Sequence, residues 1–409
     1  MSATYQPVSP AILQSRVIDT LRFPLAIAVI FIHNSPKTTN LIDFSQPLLS
    51  AEGLFNTIVI LISHVLTNIA VPTFFVISGL LFFINIDRFD RQSYLKKIKS
   101  RTYTLFIPYI LWNLLPALLM IGAKLLKTAF IGTPLSEITD YFSTIDWHIF
   151  FNSTHWGEKG TDWLGNHLLS TGPGNLPLWF LRDLIVMTIL TPVIYFFVTR
   201  TKIYGLAFLF LAYISRIWVL TPGFSITAVF YISLGAWMGI NRINVVELSK
   251  RWKHILIPAS LILMAACVVF DGNSTLVGQQ IHPLFVFSAT ISSFYIASIF
   301  VERYNYAPRR LLVESCFFIY ALHLLPLPLQ KGSLLRVIAT ASNQAGSCLG
   351  AFGATISYLV TPFICAAICI FFYVALKKAW PSAAGILSGS RSKTNQRRPV
   401  REQPSATAR

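Results

Sequence analysis

Charge is scarce in this chain. Asp, Glu, Lys and Arg make up 12% of its 409 residues, while 54% are hydrophobic. A soluble domain carries about 25% charged residues, so this composition excludes an ordinary water-soluble fold and points to an integral membrane protein. Acidic residues are rarer still, 16 against 33 Lys and Arg. Cysteine is also sparse. None of the five is spaced as CxxC, which excludes a zinc cluster or a disulfide framework. Cys267, Cys316, Cys365 and Cys369 fall in apolar stretches and Cys348 beside one, so they read as packing residues. No basic n-region precedes the first apolar run and no small-residue cleavage site follows it, so the first helix is expected to stay as a span. No internal repeat is evident, which weighs against a transporter built from inverted halves.

What the chain does contain is long apolar runs. Stretches of spanning length lie near 17–35, 69–86, 103–123, 177–199, 203–220, 225–240, 254–270, 282–301, 312–330 and 352–376. They predict an all-α polytopic protein with ten transmembrane helices. The stretch preceding Pro72 is too long to belong to one straight span and reads as an interfacial or tilted lead-in. With both termini placed in the cytoplasm, inner segments hold 24 Lys/Arg, outer segments six, and Arg22, Arg182 and Arg216 lie within spans. That alternation is the positive-inside rule. The net charge of +17 is therefore spent on topology and on contact with membrane lipids, and no nucleic-acid partner is expected. The predicted organisation is a cytoplasmic segment 1–15, a membrane domain 16–380 with an outer loop at 124–176, and a disordered basic tail 381–409. The outer loop is rich in Trp, His and Gly, which suits either an interfacial anchor or a sugar-stacking surface.

Ionisable groups inside spans are costly and need a reason. In "RVIDTLRFPLAIAVIFIHN", residues 19, 22, 26, 29 and 33 follow 3-4-3-4 spacing and share one helix face. Arg22 and His33 are then about 16 Å apart along the axis. The predicted directions of the other spans give two polar layers. An inner basic layer holds Arg16, Arg22, Lys97 and Arg101; an outer layer holds His33, Arg182, Asp183, Arg216 and His323, with Trp179 above them. Arg and Lys suit the phosphates of a polyanionic donor, and an imidazole suits removal of a hydroxyl proton. Helix packing or a surface ion pair accounts for Ser78 and Glu314, and His64 reads as interfacial.

Four motifs resemble the acyltransferase-3 family of ten-helix bacterial membrane acyltransferases. They are Arg22 and His33 separated by ten residues, "AVPTFFVISGLLFF" at 70–83, "LWFLRDL" at 178–184 and "FFIYALH" at 317–323. The resemblance covers about 16–380. It implies acyl-coenzyme A as cytoplasmic donor, acetyl being the default acyl group, and no metal. It further implies a glycan or lipid-linked sugar as acceptor, the bacterial inner membrane as location, and His33 as the catalytic histidine. Many members carry a second arginine three residues after the one beginning helix three; here Arg101 is followed by Thr104, so Lys97 or Lys99 would take its place. With no hydrolase-like domain after the tenth helix, the resemblance is to the stand-alone form.

On this reading His33 acts as general base or forms an acyl-histidine. Arg22 and Arg101 hold phosphates, Arg182 or Arg216 stabilises the oxyanion, and Asp183 orients His33. A transporter or flippase of a lipid-linked or anionic substrate is the competing class, with the same stripe as a path. A membrane scaffold would leave the buried charge unexplained.

Overall fold

The computed structural model describes residues 9–35, 50–152, 154–161, 167–215, 221–270, 276–327 and 347–389. Its helices are α1 (Pro10–Asn34), α2 (Ala51–Val59), α3 (Ala70–Phe83), α4 (Arg91–Arg101), α5 (Ile107–Ile131), α6 (Ser136–Ser143), α7 (Trp179–Ile189), α8 (Thr191–Ser215), α9 (Ile226–Ile240), α10 (Val245–Val269), α11 (Leu276–Arg303), α12 (Arg310–Leu322), α13 (Ser347–Ala379) and α14 (Pro381–Leu387). Among the described residues, six helical stretches are long and apolar enough to cross a membrane. The chain is a multi-pass membrane protein. Helices α1, α7, α9 and α12 lie at other expected span positions and are not among those six.

Four departures from the sequence reading have local causes. The expected span at 312–330 stops at Leu322, because Pro326 lacks an N–H and its ring excludes the carbonyl four residues earlier. The lead-in before Pro72 is an irregular helix continuous with α3. It runs from α2 through a π-turn (Ile60–Val65) and a 3₁₀ turn (Leu66–Ile69) into α3, with Ile60, Ser63, Val65 and Thr67 buried against the bundle. The outer loop is not purely irregular or helical: β1 (Thr154–Thr161) and β2 (His167–Gly172) pair antiparallel, Thr154 opposite Gly172 and Thr161 opposite His167. Glycines at 157, 160 and 165 disfavour a helix there. Finally, the expected disordered tail begins with α14, whose Ala384 is buried. Proline at its first position fits a helix start. Residues 390–409 lie outside the described residues.

Helix α8 bends sharply at Lys202 (φ 53, ψ −133), where the sequence placed an inner turn between two spans. The tightest helix pair is α3 with α9. A Cβ on Gly79 would lie 2.3 Å from the Ile232 carbonyl oxygen, and one on Gly235 2.1 Å from that of Val76. Small residues at such crossings let helix backbones touch, which gives dispersion contacts where lipid offers no hydrophobic gain. Gly235→Val is therefore expected to lower the thermal midpoint and the monodisperse yield in detergent. Gly122→Val, with nothing within 4 Å of the added carbon, should leave both unchanged.

Candidate active site

One end of the bundle holds a chamber of about 1480 Å³. Helix α1 contributes Arg16, Asp19 and Arg22 to its wall, α4 ends on it with Arg101, and α12 and α13 add Arg310, Glu314 and Lys377. Five cations thus face two carboxylates. Part of the charge is paired internally: Arg22 lies 3.1 Å from Asp19, and Glu314 takes Arg310 at 2.5 Å and Lys377 at 2.6 Å. The excess positive charge in a walled concavity suits a polyanion, because low-dielectric walls focus the field.

The structure places Arg16, Arg22 and Arg101, grouped by depth from the span directions, in the wall of one chamber. It leaves out Lys97, whose ammonium donates to the Leu81 carbonyl at 3.5 Å and lies over the Phe82 ring. Lys99 is not in the wall either, so neither lysine takes the place of the missing arginine. Thr104 does line the chamber, as does Ser78, and the facing surface is α14. There Gly389 comes so close that a Cβ would sit 2.4 Å from the Thr104 carbonyl oxygen. The Trp112 indole N–H fixes α14 by donating to the Leu387 carbonyl at 2.8 Å. Arg310, Lys377 and the α14 wall escaped the sequence reading. Their charges had been counted only towards topology, and the α14 sequence lacks any long apolar period.

Phe180 and Tyr320 also line the chamber, their rings 5.8 Å apart. Tyr320 donates its hydroxyl to the Pro177 carbonyl. Three residues on is His323, fully buried, with its ring 6.4 Å from that of Tyr320 and 5.2 Å from that of His33. The two histidines of the predicted outer layer therefore meet close to Tyr320, a residue of the chamber wall. The α1 end carrying His33 is held from several sides. Ser63 donates to the Phe31 carbonyl at 2.6 Å and Asn34 to the Tyr358 carbonyl at 2.9 Å, while Ser35 Oγ lies 3.1 Å from His64 Nε2. The π-turn makes this grip: it swings His64 to Ser35 and exposes its carbonyl to Asn68 and to buried His282. His64, expected to be interfacial, and His282 were not assigned to the site from sequence, since an isolated histidine near a span end carries no spacing signal. The segment preceding α7 is likewise pinned. Asn175 donates to Asn113 Oδ1 and to the carbonyls of Trp112 and Ala321, at 3.0 to 3.1 Å.

Arg182 and Asp183 are both buried but bond to each other. Asp183 Oδ1 accepts from Arg182 Nε at 3.0 Å and Nη2 at 2.9 Å, and from the Gly223 N–H at 3.1 Å. Arg182 Nη1 donates to the Phe151 carbonyl at 2.7 Å. The pair thus clips two connecting segments onto α7, and the expected orienting contact from Asp183 to His33 is not made. Trp179 sits half-buried at the start of the same helix and packs on the core. Arg216 lies outside the described residues.

The acyltransferase-3 family model, described as an acyltransferase domain, matches residues 16–376. The chain belongs to the acyltransferase-3 family. No curated protein and no solved structure matches it. Among the described residues of this acyltransferase, no group of three or more His, Cys, Asp or Glu could hold a metal ion.

The Arg182–Asp183 clip generates a stability prediction. Asp183→Ala leaves a guanidinium buried without its carboxylate and is expected to cost about 3–5 kcal/mol. The double variant Arg182→Met/Asp183→Leu should recover much of that loss in the thermal midpoint of the purified protein.

Proposed function

We propose that this acyltransferase moves an acyl group, acetyl by default, from cytoplasmic acyl-coenzyme A to a hydroxyl of a cell-surface or lipid-linked glycan in the bacterial inner membrane. The observation that carries the reading is the basic chamber whose wall includes Tyr320, its ring 6.4 Å from that of His323 in the His33–His323 pair. The reading includes ten spans with both termini in the cytoplasm, so that the chamber opens to the donor's side.

Arg16, Arg22 and Arg101 then meet the donor phosphates, with Arg310 and Lys377 beside them through charge-assisted hydrogen bonds. The flexible arm of the donor passes Phe180 and Tyr320 toward His33. The acceptor hydroxyl attacks the thioester carbonyl while His33 takes its proton. The C–S bond breaks, the ester forms, and the coenzyme A thiolate recovers the proton from His33. Oxyanion support from Arg182 requires its clip to Asp183 to open.

Labelled acetyl-coenzyme A supplied to native membranes tests this directly. His33→Ala is expected to abolish incorporation into membrane glycan, with the protein still inserted at wild-type level. Full incorporation by that variant would sink the mechanism, and glycan translocation without any coenzyme A dependence would favour a flippase.

The chamber wall gives a second expectation. A chain ending at Trp380 lacks Ser382, Ala384, Gly385, Ser388 and Gly389 from the donor side of the wall. Its KM for acetyl-coenzyme A should rise roughly tenfold, the equivalent of about 1.4 kcal/mol, with turnover at saturating donor little changed.

A further inference from the structure

His323 owes its orientation to the end of its own helix. The last carbonyls of any α-helix lack intrahelical partners. Here the Ile319 carbonyl accepts the His323 backbone N–H at 3.0 Å, and the His323 side chain folds back on the same turn: Nδ1 lies 2.8 Å from the Tyr320 carbonyl oxygen and 3.2 Å from that of Ile319. A carbonyl can only accept, so Nδ1 carries the hydrogen, and in the neutral ring Nε2 carries the lone pair. The helix end thus selects the tautomer.

Nε2 is the other half of the observation. It is completely buried and has no hydrogen-bond partner among the described residues. Leaving a buried polar atom unsatisfied costs about 1–3 kcal/mol, and the fold keeps it so beside a second imidazole. The His33 ring lies 5.2 Å away, centre to centre, tilted by 45°. That separation allows the two rings to meet nitrogen to nitrogen after a ring rotation. Asp183 makes no hydrogen bond to His33: its Oδ1 accepts from Arg182 and the Gly223 N–H, and its buried Oδ2 has no partner among the described residues.

We propose that His323 is the positioning residue for His33: its Nε2 lone pair accepts a ring N–H of His33 and so turns the opposite His33 nitrogen, unprotonated, toward the acceptor hydroxyl. As the hydroxyl proton arrives, His33 becomes an imidazolium whose second N–H is still held by His323 Nε2, and the proton leaves with the coenzyme A thiolate. His323 never gives up its own Nδ1 hydrogen. The inference rests on the reading of His33 as general base.

The test measures initial rates in native membranes with labelled acetyl-coenzyme A, for the wild type and for His323→Gln, His323→Asn and His323→Leu. The Gln amide oxygen reaches the position of Nε2, whereas that of Asn stops near Nδ1. His323→Leu and His323→Asn should lose about 100-fold in turnover, within the range of general-base contributions. Their KM for acetyl-coenzyme A should stay within twofold. His323→Gln should recover about tenfold of the loss. Equal activity of the Gln and Asn variants, or wild-type turnover in His323→Leu, would overturn the proposal. A loss seen only as reduced inserted protein, with turnover per inserted molecule unchanged, would do the same. An inactive His33→Ala beside a fully active His323→Leu removes the positioning role and leaves the general base standing. A fully active His33→Ala removes both.

Discussion

The carbonyls that α12 leaves open at its end are the constraint around which the site is arranged. In a water-poor bundle a free carbonyl is expensive, and α12 ends at Leu322, one turn before Pro326. The His323 side chain satisfies the Tyr320 carbonyl, its backbone N–H satisfies that of Ile319, and together they fix one imidazole beside the other. The last turn of the same helix places Tyr320 in the wall of the chamber. Backbone satisfaction and tautomer selection follow from one helix end.

Other irregular turns serve the same economy. The π-turn at Ile60–Val65 shifts the helix register so that Ser63 and His64 reach the end of α1, and the chain before α7 is pulled inward by Asn175. Each irregularity lies where two or more helices must hold a polar side chain at a fixed depth. The regular pair α3 and α9, in contact through glycines, supplies a rigid wall against which the broken helices are set. The chamber combines both kinds of element. Its cations come from α1, α4, α12 and α13, and its last wall from α14.

Much of this was legible in the sequence. Low charge and long apolar runs fixed the membrane class, and the 3-4-3-4 spacing put Arg22 and His33 on one stripe. The structure joins Arg16, Arg22 and Arg101 in one chamber and His33 to His323 in one pair, the grouping by depth that span direction suggested. Arg182 and Asp183 show where depth alone misleads. Two opposite charges adjacent in sequence and buried together bond to each other first, because neither can stay ionised in hydrocarbon without a partner. Arg310 and Lys377 were indistinguishable from topology-setting charges, since a lysine at a span end looks the same whether it faces lipid headgroups or a cavity.

The sequence by itself determined the periodicity of the helices, the positions where proline ends them and the inventory of ionisable groups, because these depend on local sterics and on transfer free energy. Only the tertiary structure decided which side chains share a space. The rotation of each helix about its axis is set by packing against neighbours far along the chain, such as Gly79 on Ile232 or Trp112 on Leu387. A seven-residue helix such as α14 has too few residues to declare its buried face alone. It acquires that face from the chamber it closes.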